Sequence, residues 1–413
     1  MDLIIRNVRL AERPQTPVDI GIIGERIAAV APELAADGPV FDAGGRLASA
    51  GLVETHIHLD KSRIIERCGP EEGRDVAAVK SIRPLKPHFS VEDVRARAQA
   101  TLEAAILHGT TRMRTHVEVD PGVGMRGFEG VQSLVADYRW AIDLELCIFP
   151  QEGLTNYPGT DELLVEGLRR GARVIGAAPR YDTDHGAQIG RVFDLAREFD
   201  VDIDMHLDFG NTPEDFDIDL VCDLTQRYRR GGRVAVGHMT KLSTMPPAQV
   251  AALGRRLADA GIAVTVLPAT DLYLMGRDQE DNVRRGVADA HLLLEAGVNC
   301  SISSNNVLNP ATPYGDCSLI RMANLQANVL QVGRSDGLAE CFRMISDRSA
   351  RLLNLKDYGI APGHSADVVI IDAATPAQAI AELRPVIAVF KRGRRTVTRA
   401  PAMLHRPGLP CGA

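Results

Sequence analysis

Two histidines separated by one isoleucine, His56 and His58, close an apolar run in "GLVETHIHLDKS". Successive side chains of a strand alternate faces, so these two imidazoles aim the same way. The same geometry pairs His206 with Asp208 in "VDIDMHLD". Polar residues end other apolar runs: His116 after "TRMRT", Gln151 after "LELCIFP", His238 after "RVAVG", and Asn305 with Asn306 after "NCSISS". Imidazole nitrogens suit Zn or Fe, and a catalytic centre needs about three protein donors plus an open position for water. H-x-H alone is also the end of an ordinary strand, and His206 or His238 alone is also a hydrogen-bonded core histidine. Four of these histidines, His56, His58, His206 and His238, ending the first, fifth and sixth runs, shift the balance to one divalent metal. Glu54 and Asp60 either orient the imidazoles or are simply satisfied strand-end groups. Lys61 reads as an exposed lysine, with contact to an anionic substrate group as the alternative.

These side chains need a scaffold that gathers strand ends. Eight apolar runs, mostly about thirty residues apart, alternate with amphipathic segments such as "SVEDVRARAQATLEAAILHG" and "PAQVAALGRRLADAG". That count fits a closed parallel (β/α)8 barrel better than a doubly wound sheet, since no Gly-rich phosphate turn opens a helix. The first run spans "RLASAGLVETH". Alternating runs at both ends of the chain, "LIIRNVRL" and "VDIGIIGERIAAV" before the barrel and "GHSADVVIID" and "IAVFKRGRRTV" after it, predict a β-sandwich side domain built from both termini. The expected division is 1–49 and 356–413 for the side domain and 50–355 for the barrel.

Composition excludes several classes. The net charge of -7 comes from scattered charges, 47 basic against 54 acidic residues, which argues against nucleic acid as a partner. Seven cysteines, from Cys68 to Cys411, are never spaced C-x-x-C and suit free thiols in a reducing compartment. No signal peptide or apolar run of membrane-spanning length is read, so a cytoplasmic protein with a small-molecule substrate and no membrane partner is expected.

The motifs "HIHLDK", "RMRTHVEVD", "FPQEGLTNYPG", "VDIDMHLD", "GHMTKL", "NNVLNPATPYGD" and "LLNLKDYGIAPGHSADVVIID" resemble the amidohydrolase superfamily, in its cytosine deaminase branch. They also resemble the triazine-ring hydrolase acting on N-isopropylammelide. The resemblance runs from about residue 3 to residue 395. It implies one divalent Zn or Fe ion and hydrolysis of a C–N bond in a small N-heterocyclic or amidine-like compound, with homo-oligomers possible. By position it implies His56, His58 and His206 as ligands, His238 as the residue holding the attacking water, and Gln151 as the reader of the substrate's amide edge; His116, at the end of the second run, is a further candidate for substrate contact.

Two departures set this chain apart. Where the resemblance calls for an aspartate that is both ligand and proton acceptor the chain has Asn305, followed by Asn306; where it calls for an acid after the strand-five histidine the chain has Phe209. An amide can offer its carbonyl oxygen to a metal but cannot take a proton at neutral pH. His238 and Asp208 are left as acid/base candidates, while Phe209 and Asn306 face the substrate. The alternative is a non-hydrolytic descendant, either a binding protein or a metal-assisted lyase or isomerase that keeps the pocket.

Overall fold

The computed structural model describes residues 1–35, 37–68, 78–277, 279–400 and 402–405. Eight parallel strands form the barrel: β1 (Leu52–Ile57), β2 (Thr110–Glu118), β3 (Asp143–Phe149), β4 (Val174–Ile175), β5 (Asp202–Leu207), β6 (Val234–His238), β7 (Ile262–Val266) and β8 (Cys300–Ile302). Each pairs with its neighbours in chain order. The ring closes just past β8, where Ile57 bridges Asn305 in parallel. His58 N–H donates to the Asn305 carbonyl, and Asn305 N–H donates to the His56 carbonyl, both at 2.9 Å. The seam of the barrel therefore puts Asn305 between the two histidines of the H-x-H motif.

Helices pack outside the strands as the sequence pattern expects. Val91–Leu107 starts at Ser90, whose hydroxyl accepts the Asp93 N–H at 3.1 Å. Pro247–Ala260 stops at Gly261, which takes a left-handed φ of 71° that a Cβ would disfavour. Among the described residues no helix is long and apolar enough to cross a membrane. The six described cysteines form no disulfide, and Cys411 lies outside the described residues.

Both ends of the chain contribute to a second, largely antiparallel sheet of eight strands. Leu47–Ala50 pairs antiparallel with Val368–Ile371, which joins the two terminal segments. Ile5, Ile20, Ile22, Val368 and Phe390 fill its own apolar core. The apolar run "RLASAGLVETH" is two strands rather than one: Leu47–Ala50 belongs to this sheet and Leu52–Ile57 to the barrel. The chain changes sheet at Gly51, where a Cβ would lie 1.9 Å from Thr111 Oγ1, so only glycine fits without a backbone shift.

Candidate active site

The Nε2 atom of His206 lies 3.1 Å from His56 Nε2 and 3.0 Å from His58 Nε2. Burial pushes the His56 imidazolium down to about 3, and also holds His58 and His206 well below the ordinary histidine range. All three rings are thus neutral at ordinary pH. A neutral imidazole carries one ring proton, so three such nitrogens cannot satisfy one another in a hydrogen-bonded triangle. Their lone pairs converge on one point, which is the donor set of a divalent cation. Asn305, 1% exposed, leaves both amide atoms without a protein partner beside them. The residues present fit a metal ion.

Backbone conformation at the strand ends is unusual in a consistent way. Asp208 just after β5, His238 at the end of β6 and Asn305 just past β8 take positive φ values of 48°, 74° and 60°. Asp, His and Asn tolerate that region better than most residues, but each such turn stores strain that surrounding contacts must hold. Opposite His206 in the parallel register stands Gly237, and a Cβ there would press to 3.1 Å on the His56 ring.

Behind the triad is a second layer that includes Asp204. This aspartate sits on the face of β5 that carries His206, with Oδ1 3.6 Å from His56 Nδ1 and 3.5 Å from His116 Nε2. Burial would raise its pKa, but His116, His56 and Arg114 outweigh that and hold it well below the carboxylate range. Arg114 Nη1 donates to Asp204 Oδ2 at 3.0 Å. His116 is fully buried, stacks on His56 with centroids 3.8 Å apart, and does not line the cavity. Asp204 escaped sequence reading, although the D-x-H spacing of Asp204 and His206 was the same signal as H-x-H. Glu54 accepts the N–H groups of His56 and Ser304 at 3.2 and 3.1 Å, and burial lifts its pKa to about 7.

A cavity of about 490 Å³ opens over the triad, lined by His58, His206 and His238 on one side and by Gln151, Lys61 and Asn306 among others. His238 Nδ1 is 2.5 Å from Asp271 Oδ1, and Asp271 is fully buried in the helix Pro268–Leu274 after β7. This pair was not foreseen, because no residue pattern near "LPATDLYL" marks Asp271. Phe209 stands edge-on to His238 at 5.4 Å and also lines the cavity. Asp208 reaches the cavity too, but its oxygens accept the N–H groups of Asp217 and Ile218 at 3.0 Å, at the start of the helix Ile218–Arg227. Burial raises its pKa to about 6, and besides that helix end Oδ1 also accepts the Lys241 ammonium at 3.3 Å.

Lys61 is buried, not exposed: its ammonium donates to Gln151 Oε1 at 2.9 Å and to Glu118 Oε2 at 3.3 Å. Glu118, Asp120 and Glu152 also gather as a possible cation site, but the Lys86 ammonium already fills it, 2.6 Å from Asp120 Oδ2.

The model of the amidohydrolase family matches residues 77–397, which is most of the chain. The chain belongs to the amidohydrolase family. It is accordingly a hydrolase of carbon–nitrogen bonds. This amidohydrolase is 28% identical over 407 residues to the N-isopropylammelide isopropyl amidohydrolase of Pseudomonas sp. strain ADP, covering 95% of this chain and 96% of that protein. It is 27% identical over 347 residues to a pterin deaminase of Rhizobium rhizogenes, covering 83% and 79%. A solved structure of 5-methylcytosine deaminase from Klebsiella pneumoniae with 5-fluorocytosine superposes with a TM-score of 0.92 at 26% identity, covering 98% of this chain and 100% of that one.

Proposed function

We propose that this amidohydrolase cleaves a C–N bond of a small N-heterocyclic or amidine-like substrate, by deamination or ring hydrolysis, with one Zn or Fe ion. The observation that carries this is the convergence of three neutral imidazole nitrogens, two of them on rings that line the cavity, beside a cavity that His238 of the buried His–Asp pair also lines. His56, His58 and His206 would hold the ion, with the Asn305 carbonyl oxygen as a neutral fourth donor. Bound there, a divalent cation supplies Lewis-acid polarisation and acidifies a water.

The remaining work falls to the chain's own groups. Asp271 takes the Nδ1–H of His238, which leaves the Nε2 lone pair turned to the cavity. His238 then accepts the proton of the attacking water and returns it to the leaving nitrogen. The pair thus covers the proton transfers that Asn305 and Phe209 cannot perform. Asp208, committed to a helix N-terminus, positions backbone rather than protons, while Phe209 offers a flat wall to a planar ring. His116 braces His56 through stacking and through Asp204.

Metal analysis of protein purified without chelator, followed by ammonia or amine release from a panel of pyrimidines, triazines and hydantoins, tests this function. About one ion per chain and turnover of some ring are expected. A metal content below about a tenth per chain, with none regained on Zn or Fe reconstitution, overturns it.

A further inference from the structure

Two amides of the cavity wall have their orientation forced by neighbours that can bond in only one way. An ammonium has donors and no acceptor, so the Gln151 atom 2.9 Å from Lys61 Nζ is the carbonyl oxygen. Gln151 Nε2 is then the end left to the cavity. A longer chain of the same logic fixes Asn306. Asn309 Oδ1 accepts the backbone N–H groups of Ala311 and Thr312 at 2.9 and 3.2 Å, which makes its other atom the NH2. That NH2 donates to the Lys61 carbonyl at 3.2 Å and to Asn306 Oδ1 at 2.7 Å. The Asn306 oxygen is therefore the end turned to Asn309, and its Nδ2 is the end left to the cavity that Asn306 lines. Lys61 itself gives two of its three protons to Gln151 and Glu118 and keeps one.

We propose that this wall of donors selects substrates by acceptor chemistry: an oxo-substituted ring of the lactam or imide type, with carbonyl oxygens on the edge turned to Gln151 and Asn306. A ring carrying amino groups on that edge would set donor against donor, and a buried donor left unpaired is costly. The proposal rests on the hydrolase reading only for where the reacting edge lies, toward His58, His206 and His238; the binding preference stands without it. Lys61 and Asn309 are the positioning residues of this selection, since each acts through the amide it holds.

Uracil and 2,4-diaminopyrimidine, one ring with oxo groups exchanged for amino groups, provide the test. Their binding to the full chain as purified is measured by calorimetry at a pH where both are neutral. Uracil binding about tenfold or more tighter is expected. Gln151→Glu and Asn306→Asp, which put an acceptor where a donor stood, should each cut that preference to about threefold or reverse it. Lys61→Met, which lets the Gln151 amide turn, gives the same readout if either acid variant fails to fold. Equal or tighter binding of the diamino ring, no uracil binding up to millimolar concentration, or a preference unchanged in the folded variants overturns the proposal. Hydrolysis is followed separately: C–N cleavage without the preference discards this selection and keeps the hydrolase, and the preference without cleavage does the reverse.

Discussion

His238 and Asp271 carry the most exacting prediction about single side chains. If His238 moves the proton, His238→Ala lowers kcat by about a hundred- to ten-thousandfold while KM changes little. Asp271→Leu should approach that loss, because Nδ1 no longer has an acceptor to hold its proton and the ring can present Nε2–H to the cavity instead. Asp271→Asn, whose amide oxygen can still accept from Nδ1, should lose less. Nitrogen-15 spectra of histidine-labelled protein read the tautomer directly, without any substrate. A His238 signal with the same protonated nitrogen in Asp271→Leu as in the parent would remove Asp271 from the mechanism. Asn305 is a different case: its unpartnered amide at the seam can offer oxygen to an ion or N–H to an oxyanion, but no proton acceptance.

Loops between elements hold the cavity walls, and Asp182 shows how. It follows β4 and accepts the N–H groups of Leu154 and Thr155 at 2.6 and 3.0 Å and the Gln188 amide at 2.8 Å, which ties down the loop after Gln151. Burial opposes its ionisation, but the Thr155 hydroxyl, those N–H groups and Gln188 outweigh burial and lower its pKa to about 2. A depressed carboxylate stabilises the fold above its unfolded pKa and ceases to do so as pH falls through the folded value. Asp182→Asn is therefore expected to cost about 1–2 kcal/mol at neutral pH. The gap between parent and variant in urea titrations should hold down to about pH 5, then narrow through pH 4 and vanish near pH 2. A gap that persists unchanged at the acid end would mean that the loop is held by packing instead.

At the scale of the molecule, the two sheets are joined through Gly51, so a change there should reach the site from the outside. Gly51→Val forces the backbone off Thr111 and should lower stability by about 2 kcal/mol or more, read as the urea midpoint. Because β1 starts at the next residue, metal content should fall with it. Loss of stability with full metal occupancy would show that the strand shifts without moving His56 and His58.

The barrel and its strand-end polar residues were legible because periodicity is local: an H-x-H or D-x-H spacing places side chains on one face whatever the rest of the chain does. By the same rule Asp204 could have been read with His206. The rest depended on closure. Asn305 comes to lie between His56 and His58 only because the eighth strand bridges back to the first, over a separation of some 250 residues. Asp271 meets His238 from a helix after the next strand, and Lys61 turns inward because Glu118 and Gln151 wait for its charge. Spacing along the chain decides which face a residue shares; which partner stands opposite it, and so which atom of an amide is left to face a ligand, is decided by contacts between segments far apart in sequence.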